Sequence, residues 1–221
     1  MQKIGQMAKK NKYSEGQLVD TFKLNRIVEY QTPRMSEWLS VETPTFSMPE
    51  QYIFDNALTK AIKNIGGWNE EDLKMKFISD ILPLGYLEDN GRFMTYFEKS
   101  LSGIVEGIAL SVKSDFMVAA GVLDYPKQPY FHFQEYKPSK NPSGDSMAQL
   151  LEAMLIAQEK NKNGKPIYGC EVIGRNWNFV VMEGKDYCIS ASFDSVNRED
   201  LLKIIAILRK FRVILETELL G

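Results

Sequence analysis

An α/β layered domain is the fold class this sequence predicts, and three patterns carry the prediction. Apolar residues at helical spacing after Asn69 give way to short β-type runs between about 106 and 137. A stretch rich in Ala, Leu and Met then separates these runs from a second strand group at about 167 to 193. A long apolar-rich helix closes the chain. Blocks of helix and strand that alternate in this way bury their apolar faces by packing as layers.

Residues 1–50 are polar and carry Pro33, Pro44 and Pro49, with patchy apolar content around Val28 and Trp38. They read as a peripheral segment before a domain at 51–221. Residues 51–64 have the character of a helix, punctuated by Gly66-Gly67. Asn69 is an N-cap candidate, and the acidic turn Glu70-Glu71-Asp72 suits the positive end of a helix dipole. Leu73, Phe77, Ile78, Ile81 and Leu82 continue that helix until near Pro83. A further helical stretch is expected at 91–103, followed by strands at 106–113, 115–121 and 130–137. Ser146 to about Lys160 forms the next helix. Strands at 167–173, 177–183 and 186–193 follow, with Asn163-Gly164 and Arg175-Asn176 as turns. The closing helix spans about Asn197 to Leu220. No internal repeat or low-complexity tract interrupts this order.

A chain of 221 residues can bury a sizeable core as one domain. Its formal charge of −2 excludes a global cationic field, so any phosphate contact must come from local patches. Lysines cluster at Lys9, Lys10 and Lys12, at Lys137 and Lys140, and at Lys160, Lys162 and Lys165. Such runs are commonly solvated faces. Cys170 and Cys188 are the only cysteines and His132 the only histidine, which leaves no donor set for a structural zinc. His132 has no nucleophile motif to serve a triad. No Walker loop or dinucleotide-binding glycine pattern is present. With no signal segment or membrane-spanning stretch, the expected compartment is the cytoplasm.

The strand Phe131-His132-Phe133-Gln134-Glu135-Tyr136-Lys137 holds the most chemistry. By alternation, Phe131, Phe133, Glu135 and Lys137 share one face, and His132, Gln134 and Tyr136 the other. An apolar sheet face thus ends in a carboxylate and an ammonium. Either the strand runs out into solvent there, or the pair belongs to a site. Upstream, Asp115 begins an apolar strand. If Phe116–Ala120 pairs antiparallel with Tyr130–Phe133 around a turn at Pro126 to Pro129, Asp115 and Glu135 lie at the same end of the sheet. Carboxylates that close repel unless one is protonated or a cation lies between them. Oxygen ligands of this kind suit Mg²⁺ or Mn²⁺. Asp124, in the turn, is the competing acid.

The order Asn69-Glu70-Glu71, Ser114-Asp115-Phe116, Gln134-Glu135-Tyr136-Lys137 and Ala148-Gln149-Leu150 resembles the PD-(D/E)XK nuclease superfamily, the restriction-endonuclease-like proteins. The resemblance covers about residues 69–193. Ile167-Tyr168-Gly169-Cys170 and Asn176-Trp177-Asn178-Phe179 resemble the closing strands of its members. It implies a central mixed sheet flanked by helices, built as a helix, a three-stranded meander, a crossing helix and a further strand. It also implies a metal-dependent nuclease acting on DNA or RNA. Asp115 and Glu135 would bind Mg²⁺ or Mn²⁺, with Glu70 and the Tyr136 carbonyl as further ligands. Lys137 would orient water, and Gln149 would position water, substrate or Lys137. Ser114 stands where the family often has a proline, which is not a ligand. Nucleic acid is the implied partner, a membrane is not, and a homodimer is among the assemblies allowed.

The residues themselves leave some of these roles open. On a helical wheel Glu70 falls inside the apolar arc and Glu71 at its edge, yet first-turn acids also serve the helix dipole alone. Gln149 falls on the polar side with Asp145, Glu152 and Glu159, as a solvated residue would. A non-catalytic nucleic-acid-binding or protein-interaction module on the same scaffold is the alternative function, and the net negative charge suits it.

Overall fold

A computed structural model describes residues 13–28, 31–140 and 142–220. The Lys9, Lys10 and Lys12 cluster lies outside them. In chain order the elements are α1 (Glu15–Phe22), β1 (Asn25–Ile27), α2 (Pro33–Leu39) and α3 (Met48–Asn64). Next come α4 (Glu70–Leu73), a π-helical turn (Lys74–Ile78) and α5 (Ser79–Leu84), which together form one continuous rod. The strands β2 (Met94–Val105), β3 (Ile108–Val122) and β4 (Tyr125–Lys137) follow, then α6 (Ser146–Asn161). The chain ends with β5 (Ile167–Ile173), β6 (Asn176–Glu183), β7 (Asp186–Ile189), β8 (Phe193–Asp194) and α7 (Arg198–Ile214) with a terminal π-turn.

The eight strands make one mixed sheet in the order β1-β7-β6-β5-β4-β3-β2, with β8 against β6. Parallel pairs occur at β4–β5 and β1–β7, and the rest are antiparallel. The run α4–α5, meander β2–β4, crossing α6 and parallel β5 is the order of a restriction-endonuclease-like core. Helices cover both faces, as an apolar sheet requires. On one face α6 and α1 bury Leu150, Leu151, Met154 and Phe22 against Met117, Phe133 and Val180. On the other, α2, α3, α5 and α7 enclose Trp38, Phe54, Ile81 and Phe211 with Phe116, Tyr136 and Phe179.

From the N-terminal segment, β1 forms the sheet's edge beside β7, while Phe22 of α1 and Trp38 of α2 reach the two cores. Where apolar content looked patchy, Trp38 is fully buried and Val28 is exposed. The Trp38 indole nitrogen donates to the Ile207 carbonyl of α7 at 2.9 Å. Packed edge-to-face with Tyr168 and Phe179, it works as a core residue of the layer.

Sequence expectations need correction in three places. Within the expected helix at 91–103, residues 94–103 instead form most of strand β2. In β2, Tyr96 and Leu101 are five apart yet share one core, as do their partners Met117 and Val112 in β3. The parity of both strands therefore shifts between those pairs, where Glu98 takes a left-handed conformation with φ of 56°. Without strict alternation the segment loses its strand signature. For the same reason β3 is one strand of 15 residues, not two short ones. Finally, the β3–β4 turn falls at Leu123-Asp124, and Pro126 and Pro129 sit inside β4. Register shifts around Ala119 accommodate the prolines, which cannot donate to a ladder. One of these shifts leaves Phe131 unpaired and turns it to the Trp38 side, opposite to the face that alternation gives it.

Candidate metal centre

The register of β3 with β4 places Phe116 beside Gln134, so the next residues outward, Asp115 and Glu135, neighbour one another on the α6 face. Both are buried. Asp115 uses each of its oxygens: Oδ2 accepts from the Tyr136 main-chain N–H and Oδ1 from Lys74 Nζ, both at 2.8 Å. Lys137, two residues beyond Glu135 on the same face, donates to Glu135 Oε1 at 2.6 Å. The charged pair therefore belongs to a buried cluster, not to a strand end in solvent.

α6 begins directly over these groups. Ser146 in its first turn donates to Glu171 on β5 at 2.5 Å, and Glu171 is in register with Glu135. One turn on, the Gln149 side-chain amide donates to Glu135 Oε1. The wheel placed Gln149 on the polar side of the helix, and so it is. That side faces an acidic stretch of sheet, not water.

Glu70 comes from the opposite direction. Asn69 caps α4 by accepting from Asp72 N–H at 2.8 Å, and the first turn then points Glu70 across the end of β4. Its two oxygens lie 2.8 Å from Lys74 Nζ and 3.7 Å from Lys137 Nζ. Glu71 is exposed, and Asp124 pairs with Lys99 at the exposed hairpin turn. Tyr136 turns its side chain to the far core, where its hydroxyl donates to Gln134. His132 is fully buried on that same side.

Two central residues escaped the sequence reading. Glu98 lies between the paired residues Phe97–Phe116 and Lys99–Ser114, opposite Asp115 on the neighbouring strand. Like charges facing across a ladder are unfavourable, and a non-glycine residue at φ of 56° adds strain on the order of 1–3 kcal/mol. Lys74 offsets the repulsion. Its Nζ donates to Glu70 at 2.8 Å, Glu98 at 2.5 Å and Asp115 at 2.8 Å. Lys113 also pairs with Glu98. The spacing of Glu70 and Lys74, four apart on a helix, was the available signal for Lys74. Glu98 gave none while its segment read as helix.

Glu70, Asp115, Glu135, Lys137 and Gln149 line one cleft of about 510 Å³, joined by Glu98 and by Tyr13 from the N-terminal segment. Burial and the nearby Asp115 charge push Glu135 up to about 8, against the pull of Lys137. Burial also raises Asp115, although Lys74 and the Tyr136 amide oppose it. Burial works against the Lys74 ammonium, but its three carboxylate partners outweigh that and raise its pKa. Carboxylate oxygens of Glu70, Glu98 and Asp115 lie within 4.8 Å of one another and can accept a metal ion. An all-oxygen donor set matches Mg²⁺ or Mn²⁺, not a thiophilic metal.

No protein-family model matches the chain, and no curated protein matches it. Among solved structures, the chain is similar to one in the cryo-electron-microscopy structure of a DrdV–DNA complex. Identity is 14% and the TM-score 0.38, with 74% of this chain covered. The matched part is 14% of that larger chain. No helix among the described residues is long and apolar enough to cross a membrane.

Proposed function

We propose that the chain is a nuclease dependent on Mg²⁺ or Mn²⁺ that hydrolyses phosphodiester bonds in DNA, with RNA as the second substrate class. One observation carries the reading: Asp115, Glu135 and Lys137, fixed on adjacent strands, line the same cleft as Glu70 and Gln149. Asp115 and Glu135 hold the ion in this reading, with Glu70 and the Tyr136 carbonyl as further oxygen donors. When bound, the ion neutralises phosphate charge and lowers the pKa of an attacking water. Lys137 orients that water and stabilises the negative charge that develops on the phosphate. Gln149 keeps Glu135 aimed at the cleft, as outer-shell partners of metal ligands do.

Charge in the cleft supports metal dependence. Acidic side chains outnumber basic ones here: Glu70, Glu98, Asp115, Glu135, Asp145 and Glu152 line the cleft with Lys113 and Lys137, and Lys74 pairs with three of the acids. A phosphodiester entering such a cleft is repelled unless a cation accompanies it. Plasmid DNA nicked with Mg²⁺ and left intact with EDTA supports the proposal, and intact DNA under both conditions refutes it.

A second reading, a non-catalytic nucleic-acid-binding or protein-interaction module, is favoured by Lys74, whose ammonium pairs with three of the carboxylates itself. Mn²⁺ binding that disappears in Asp115→Asn and Glu135→Gln separates the two, because a binding module has no need of it.

A further inference from the structure

We propose that Lys74 is a tethered cation that holds the Glu70, Glu98 and Asp115 focus until a divalent ion takes its place, and so sets the affinity of the cleft for metal. This rests on the metal-centre reading of the same cleft. Lys74 Nζ lies 2.5 to 2.8 Å from one oxygen of each carboxylate. A hard divalent cation requires the same oxygens, at about 2.0–2.1 Å for Mg²⁺. Ammonium and ion cannot both occupy the focus.

The local structure allows the exchange. Lys74 is the first residue of the π-helical turn inside the α4–α5 rod, a feature common where helices serve function. Its flexible four-carbon stem ends in a strongly hydrated charge, so hydration offsets part of the cost of leaving its three carboxylates. Glu98 keeps a partner throughout, because Lys113 holds its other oxygen. Exchange of one ammonium for a divalent ion also reduces the excess of acidic over basic groups in the cleft. Glu98 then changes role from a strained surface acid to a further carboxylate for the ion, beside Glu70 and Asp115.

The test uses the full chain. Lysines are acylated in the absence and presence of saturating Mn²⁺ and quantified by peptide mass spectrometry. Labelling of Lys74 is expected to rise severalfold with Mn²⁺, while Lys60, paired with Asp80 outside the cleft, stays constant. In parallel, Lys74→Gln is expected to bind Mn²⁺ at least about tenfold more tightly, since the ion no longer has to break charge-assisted hydrogen bonds. Constant Lys74 labelling in Mn²⁺-bound protein, or a folded Lys74→Gln variant that binds no more tightly, overturns the exchange and leaves the metal reading standing. If Lys74→Gln fails to fold, the labelling of the natural chain decides alone. Absence of Mn²⁺ binding in both proteins overturns the metal reading and the exchange together.

Discussion

Gln149 of α6 donates its side-chain amide to the same oxygen of Glu135 that Lys137 reaches at 2.6 Å. A helix and a strand thereby meet on one carboxylate oxygen. The contact fixes the Glu135 rotamer from above while Lys137 fixes it along the strand. Gln149→Ala is expected to leave the fold intact and to lower Mg²⁺-dependent cleavage about 10–100-fold, the usual effect of removing such a support. Steady-state cleavage rates, with circular dichroism as the control for folding, check it.

The N-terminal segment is expected to matter for stability as much as any core helix. Trp38 is fully buried among Tyr168, Phe179 and Phe211, and its indole nitrogen is satisfied by Ile207. Trp38→Ala is expected to destabilise the protein by about 3–5 kcal/mol, as deletion of a large buried side chain does. Urea unfolding measures the loss, and a change below about 1 kcal/mol would show that α2 merely rests on the domain.

Acid sensitivity should come from His132. Burial depresses its pKa from 6.5 to about 3, and its ring is enclosed by Trp38, Phe116 and Phe211, with Gln134 as its polar contact. Between those two values the unfolded chain binds a proton that the folded chain refuses, so this residue's contribution to stability is lost as pH falls from 6.5 towards 3. The slope is about 1.4 kcal/mol per pH unit. Glu135 acts in the other direction: its raised pKa makes the folded chain the better proton binder between 4.5 and about 8. The informative quantity is therefore the difference between the natural chain and His132→Gln. That difference is expected to change with pH below 6.5 and to be flat above it.

Much of this arrangement is legible in the sequence where chemistry and periodicity agree. The helix from Asn69 has a capping side chain, an acidic first turn and regular apolar spacing, and its first residue, Glu70, reaches the cleft. In β4, alternation holds from His132 to Lys137, so Glu135 and Lys137 fall on the face away from His132 and Tyr136. Alternation misleads where a strand leaves the two-residue period. Glu98 breaks that period in β2, and Phe131 is bulged out of β4. Lys74 was hidden for another reason. A lysine four residues after a glutamate reads as a surface pair, and only the tertiary approach of Asp115 and Glu98 turns it into a half-buried hub.

The most direct test of the central claim is cleavage of plasmid DNA by purified protein with Mg²⁺, compared between the natural chain and Lys137→Ala. Lys137 sits beside Glu135 and within 3.7 Å of Glu70, so its loss removes the group proposed to orient water without removing a carboxylate. The expected result is cutting by the natural chain that EDTA abolishes, and none by a folded Lys137→Ala protein. Equal cutting by the two proteins would contradict the assignment.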